Sequence, residues 1–149
     1  MTKRLLAACG MALFLAGCGS VGKEGHDPKF PKVVPTRGKV LTAKGEPVRL
    51  AVLAMTPVKL GEKPVPCEGK IGPDGTFEMR TFSNLGPDGV VPGEYLVYLK
   101  DYDAGVYGNP PKGVTPAVIP AKYKSDKTSG WTAEIKPGEE IELEFKMTE

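Results

Sequence analysis

Two stretches near the end of the chain alternate strictly between apolar and polar. In WTAEIK, Trp131, Ala133 and Ile135 fall on one side and Thr132, Glu134 and Lys136 on the other. In IELEFKM, Ile141, Leu143, Phe145 and Met147 oppose Glu142, Glu144 and Lys146. Period two marks a strand with one buried face, and PGEE supplies the turn between the two. TFEMRTF (76–82) follows the same rule, with Phe77 and Met79 opposite Glu78 and Arg80. VRLAVLAM (48–55) and EYLVYLK (94–100) are apolar on both faces, which predicts strands in the middle of a structure. TRGKVLT (36–42) and the shorter EGKIG (68–72) complete about seven strands, the count and spacing of an antiparallel, Ig-like β-sandwich of two sheets. No segment holds a helical period beyond two turns.

Composition supports an all-β reading: 19 glycines and 15 prolines favour many turns, and 40% hydrophobic with 26% charged residues is ordinary for a folded domain. The domain expected over 36–149 can bury enough surface to fold without disulfides. One region departs from the plan. Residues 101–130 are too long for a hairpin and too rich in Pro and Gly for a helix, and connections of that kind are usually functional or disordered.

The amino terminus carries a separate signal. Lys3 and Arg4 precede an apolar run from Leu5 to Gly17 of 13 residues, against the roughly 20 needed to span a bilayer, so residues 1–17 read as a cleavable signal peptide. The run ends in LAGC, Leu15 to Cys18, which resembles the lipobox of bacterial lipoproteins. The resemblance implies cleavage before Cys18, a diacylglyceryl group on its sulfur and acylation of the new amino terminus. Two or three chains make a stable anchor, since each buried methylene contributes about 0.8 kcal/mol. Gly19 stands where an Asp would mark retention in the inner membrane, so the resemblance points to a cell-envelope protein with the outer membrane favoured. Residues 18–35, mixed in Gly, Pro and charge, read as a tether, which contains the one histidine, His26.

Processing simplifies the remaining chemistry. Of three cysteines, Cys9 leaves with the signal and Cys18 carries lipid, so Cys67 is the one thiol of the exported domain and no internal disulfide forms. Without a basic neighbour it reads as a small apolar residue. Removing Lys3 and Arg4 leaves 18 basic and 18 acidic residues, a neutral balance that does not point to nucleic acid.

With the strands placed, GKVLTAKGEPV, GPDGTFEM and VVPGEYLVYL together resemble the carboxypeptidase regulatory-like domain, a transthyretin-like sandwich. The matching positions are Gly38 and Val40; Gly45, Pro47 and Val48; Asp74, Gly75 and Phe77; and Pro92, Gly93 and Tyr95. IPAKYK and the last two strands also look like the carboxy-terminal half of small lipidated members. The resemblance implies an accessory structural or interaction module, with no active site to transfer.

Residue chemistry agrees. Nucleophilic catalysis wants a base beside the nucleophile, and the sole histidine is in the tether. One His and one free Cys do not make a zinc site, and DYDAG (101–105) lacks the Gly and Glu of a helix-loop-helix calcium loop. No cofactor and no metal is expected, although Asp101, Asp103 and Asp126 leave a looser oxygen site open. Glu142 and Glu144 read as a solvated sheet face, against the alternative of an unrecognised catalytic carboxylate pair. Tyr102, Tyr107, Lys122, Tyr123 and Lys124 form the candidate binding loop for a glycan or an envelope protein, with Tyr123 expected to be the exposed ring and Trp131 in the core. GPDG occurs twice (72–75 and 86–89). Pro presets φ, Asp can bond its own backbone and Gly supplies positive φ, so Asp74 and Asp88 are expected to be turn residues that tolerate Asn.

Overall fold

The computed structural model describes residues 31–59, 65–82 and 88–148. The signal peptide, Cys18 and His26 lie outside the described residues. Seven strands form: β1 (Thr36–Leu41), β2 (Ala51–Pro57), β3 (Cys67–Ile71), β4 (Thr76–Glu78), β5 (Gly93–Asp101), β6 (Trp131–Ile135) and β7 (Ile141–Lys146). Each falls on a stretch read as a strand in the sequence.

Their arrangement corrects the expected sandwich of two antiparallel sheets. All seven belong to one sheet in the order β6-β5-β2-β3-β4-β1-β7. Its pairings are antiparallel except the last, where β1 and β7 run parallel from Thr36 beside Ile141 to Leu41 beside Lys146. The sheet rolls until its two edge strands face each other. Trp131 of β6 lies 5.2 Å from Phe145 of β7, ring centre to ring centre, and Phe145 lies 6.4 Å from Phe77 of β4. The result is a mixed, nearly closed barrel.

Parity accounts for its interior. Leu53 and Met55, Ile71, Phe77, Tyr95, Val97 and Leu99, Ala133 and Ile135, and Phe145 all point inward and are buried. β2 has β3 on one side and β5 on the other, the central position that its two apolar faces predict. Its outward Val52 and Ala54 are only 2% and 3% exposed.

The expected strand over 48–55 starts late for a local reason. The Val48 amide donates to Val40 and Pro47 bridges Leu41, so this stretch still belongs beside β1. At Leu50 the chain takes φ 50° and turns away to begin β2. A left-handed Leu costs about 1–2 kcal/mol, which burial of its side chain to 1% exposure offsets. β4 is likewise shorter than 76–82, because after Glu78 the chain leaves the ladder, with Arg80 keeping one bridge to Glu68.

The long connection is largely architecture. It opens with a helical turn, α1 (Ala104–Tyr107), capped by Asp103, whose side chain accepts from the Gly105 amide at 2.8 Å. It then sends Ile119 into the core and forms a 3-10 turn at Ala121–Lys124. Tyr123 in that turn packs on Trp131 at 4.6 Å, and its hydroxyl accepts from the Thr148 amide just past β7 at 2.7 Å. The turn therefore plugs the seam between the edge strands. Upstream, Val34 of the stretch read as tether is 2% exposed and pairs with Val90.

Candidate functional site

The five predicted loop residues separate into two groups. Tyr102 and Tyr107 lie against the outer face of β3, their ring centres 5.9 Å apart, with Lys70 Nζ 5.5 and 6.0 Å from them. Tyr123 is on the other side of the sheet. Expected to be exposed because two lysines flank it, it is instead 2% exposed, because its ring completes the Trp131–Phe145 aromatic cluster. Lys122 stays outside, its Nζ 5.3 Å above the Tyr123 ring and 3.1 Å from Thr148 Oγ1. Lys124 pairs with Asp101 at 2.7 Å.

The acidic residues have separate tasks. Asp101 holds Lys124, Asp103 caps α1, and Asp126 meets Ser125. Among the described residues no three His, Cys, Asp or Glu side chains come together as a metal site. Glu144 pairs with Lys39 at 3.0 Å on the outer face. Glu142 lines a broad depression of about 530 Å³ shared with Arg37, Lys70 and Glu78, where charges of both signs alternate across the strands.

The two GPDG aspartates prove different. Asp74 Oδ1 accepts from both the amide and the hydroxyl of Thr76, at 3.1 and 2.7 Å, with Gly75 following at φ 82°. It is the turn residue that the sequence suggests, and the bonds from Thr76 hold its carboxyl below the usual range. Asp88 also reaches back along the chain. Its two oxygens accept from the amides of Thr81 and Phe82, at 2.6 and 2.8 Å, tying the end of the β4 segment to the start of the β5 approach. An Asn there offers one acceptor where the backbone uses two, so Asp88→Asn is now expected to cost more than a turn residue alone would imply.

A charged group that sequence patterning did not single out sits at the centre of the outer face. Glu68 Oε1 accepts from the Tyr107 hydroxyl at 2.8 Å and from Arg80 Nη2 at 3.3 Å, while Oε2 accepts from Lys100 Nζ at 3.3 Å. Partial burial works to raise the Glu68 pKa, but the bonds from Tyr107, Lys100 and Arg80 outweigh it and hold the carboxyl below its ordinary value. Burial and the Glu68 carboxylate together push the Tyr107 hydroxyl up to about 12, so it stays a donor. Beside this group lies a cavity of about 310 Å³ lined by Ala54, Thr56, Tyr98, Arg80 and Lys100 among others. Period two does put Glu68 and Arg80 on the polar side of their strands; their convergence depends on strand order, which the pattern does not carry. Cys67 lies beneath, facing the core at 6% exposure, and burial pushes its thiol up to about 12. Its burial agrees with the small apolar residue expected.

Fold and surface together define an all-β domain on one rolled, mixed seven-stranded sheet, with a polar cluster over its central strands. Among the described residues no helix is long and apolar enough to cross a membrane. No family model and no curated protein matches the chain. Among solved structures it is similar to a DUF3823 family protein from Parabacteroides merdae, at 17% identity and a TM-score of 0.41. The match covers 80% of this chain and 47% of that one, so the chain spans less than half the length of that structure.

Proposed function

We propose that the protein is a lipid-anchored cell-envelope module that acts without catalysis, as a structural or interaction unit held to the membrane through Cys18. The observation that carries this reading is LAGC standing directly behind a basic start and a short apolar run. The anchor leaves residues 19–33 as spacer before Val34 enters the core, so the β-domain would stand off the membrane surface. The finer assignment to the carboxypeptidase regulatory-like group draws support from the ordered motifs. Gly45 and Gly75 both take positive φ, 86° and 82°, as turn glycines of such a pattern should.

Growth with an alkyne-tagged fatty acid tests the proposal. The wild-type chain should take up label and sediment with membranes, and Cys18→Ser should lose both properties. A wild-type chain without label, or a Cys18→Ser variant that keeps it, overturns the reading.

A further inference from the structure

The cavity on the outer face of β2, β3 and β5 has the chemistry of an anion site. Arg80 and Lys100 converge on it and face one carboxylate, Glu68, which leaves one positive charge in excess among the described lining residues, while Asp88, bonded to the lining Thr81 amide, stands outside that lining. Both ion pairs measure 3.3 Å, long beside the roughly 2.7–2.9 Å of a strong charge-assisted bond. Each uses a single donor, although a guanidinium carries about five N–H groups and an ammonium three. Glu68 is fixed independently by the Tyr107 hydroxyl, so the cations need not hold it. Tyr98 and Thr56, each of which carries a hydroxyl, line the same space together with Ala54, 3% exposed.

We propose that this cavity binds a small, singly charged organic carboxylate carrying hydroxyl groups, of the sugar-acid class. The carboxylate sits between Arg80 and Lys100, matching the planar fork of the guanidinium, and the ligand's hydroxyls meet Tyr98 and Thr56. About 310 Å³ is at the small end of ligand pockets, room for one sugar ring. Phosphate fits less well, because its second charge exceeds the single positive excess and faces Glu68. Nothing in the site depends on the lipid anchor.

Thermal melts of the full chain in mild detergent, with millimolar sodium galacturonate, galactose or inorganic phosphate at constant ionic strength, test the assignment. Galacturonate should raise the melting temperature, while galactose and phosphate should not. Lys100→Gln and Arg80→Gln should each weaken the apparent affinity about tenfold or more, and Lys146→Gln, on the outer face of β7, should leave it unchanged. Lys100 is half exposed, so its variant keeps the fold even if the Arg80 variant does not. No shift with galacturonate, an equal shift with galactose or phosphate, or undiminished affinity in Lys100→Gln overturns the proposal.

Discussion

Gly38→Ala is the most demanding test of the rolled sheet, because Gly38 is the point where β1 is squeezed between β4 and β7. An added Cβ would stand 1.9 Å from the Leu143 carbonyl oxygen, 2.8 Å from its carbon and 2.8 Å from Phe77 Cζ. The two Leu143 atoms are backbone, so no rotamer change can relieve them. Gly38 does not have positive φ, and therefore alanine has no conformational objection there; restricting the unfolded chain should even stabilise by about 0.4–1 kcal/mol. Overpacking acts in the opposite direction, typically by about 1–3 kcal/mol. Here it belongs at the top of that range, because β1 must move off β7 and the parallel ladder must stretch along its length. A net loss of about 2 kcal/mol follows, which for a domain of this size lowers the melting temperature by on the order of 8 °C.

Gly45→Ala is the internal comparison. Gly45 has φ 86° and nothing within 4 Å of an added Cβ, so backbone strain of about 1–2 kcal/mol, less the same unfolded-state gain, leaves a net cost of about 1 kcal/mol. Thermal melts followed by far-ultraviolet circular dichroism, with urea titrations to verify an unchanged m-value, measure both. If Gly38→Ala loses less stability than Gly45→Ala, β7 does not pack against β1 as described.

Three further outcomes follow from the polar contacts. Asp88→Asn should cost about 1–2 kcal/mol, since one of two backbone donors loses a charged acceptor, while Asp74→Asn should cost only a few tenths because a single oxygen does its work; equal losses in urea titrations would refute this. Glu68 has a folded pKa depressed from the ordinary 4.5, so its contribution is complete above that value and disappears as the pH falls through the folded pKa. The melting-temperature gap between wild type and Glu68→Gln, worth no more than about 1 kcal/mol at neutral pH for a side chain one-third exposed, should therefore close by acid pH, and a gap that widens in acid contradicts the sign. Cys67 in the native chain should resist a disulfide reagent at mildly alkaline pH and react only on unfolding; rapid native labelling would show that it is accessible.

Local patterns were sufficient to find the strands, strict alternation for β4, β6 and β7 and two-sided apolar runs for β2 and β5, because a residue's face depends on its neighbours two places away. Strand order is not local. The pairing of β1 with β7 joins residues a hundred positions apart, and no pattern inside TRGKVL or IELEFK reports that they lie parallel. The same limit explains Tyr123. Judged by Lys122 and Lys124 it belongs outside, yet its ring finds Trp131 and its hydroxyl finds Thr148, contacts set by the rolling of the sheet. Asp88 shows the reverse case, in which a familiar turn motif concealed bonds to Thr81 and Phe82 that lie several residues upstream.

The rolled sheet also constrains where a partner can engage. Both edge strands carry outward charges, Glu134 on β6 and Glu142, Glu144 and Lys146 on β7, the usual protection against strand addition. The seam between them is filled from inside by Trp131 and Phe145 and capped by Tyr123. An extended peptide joining either edge would have to bring its side chains past those charges without gaining a buried face in return. The outer face over β2 differs, because there the floor is apolar and the charged groups stand around it. If the long connection evolved to close the seam, its first half, α1 with Tyr107, does something else: it carries one donor to Glu68 and fixes the carboxylate beside Arg80 and Lys100. Recognition by this domain should therefore respond to Tyr107 and leave Tyr123 as a determinant of stability alone. Tyr107→Phe should alter binding at the cavity without a large loss of stability, and Tyr123→Ala should unfold the seam.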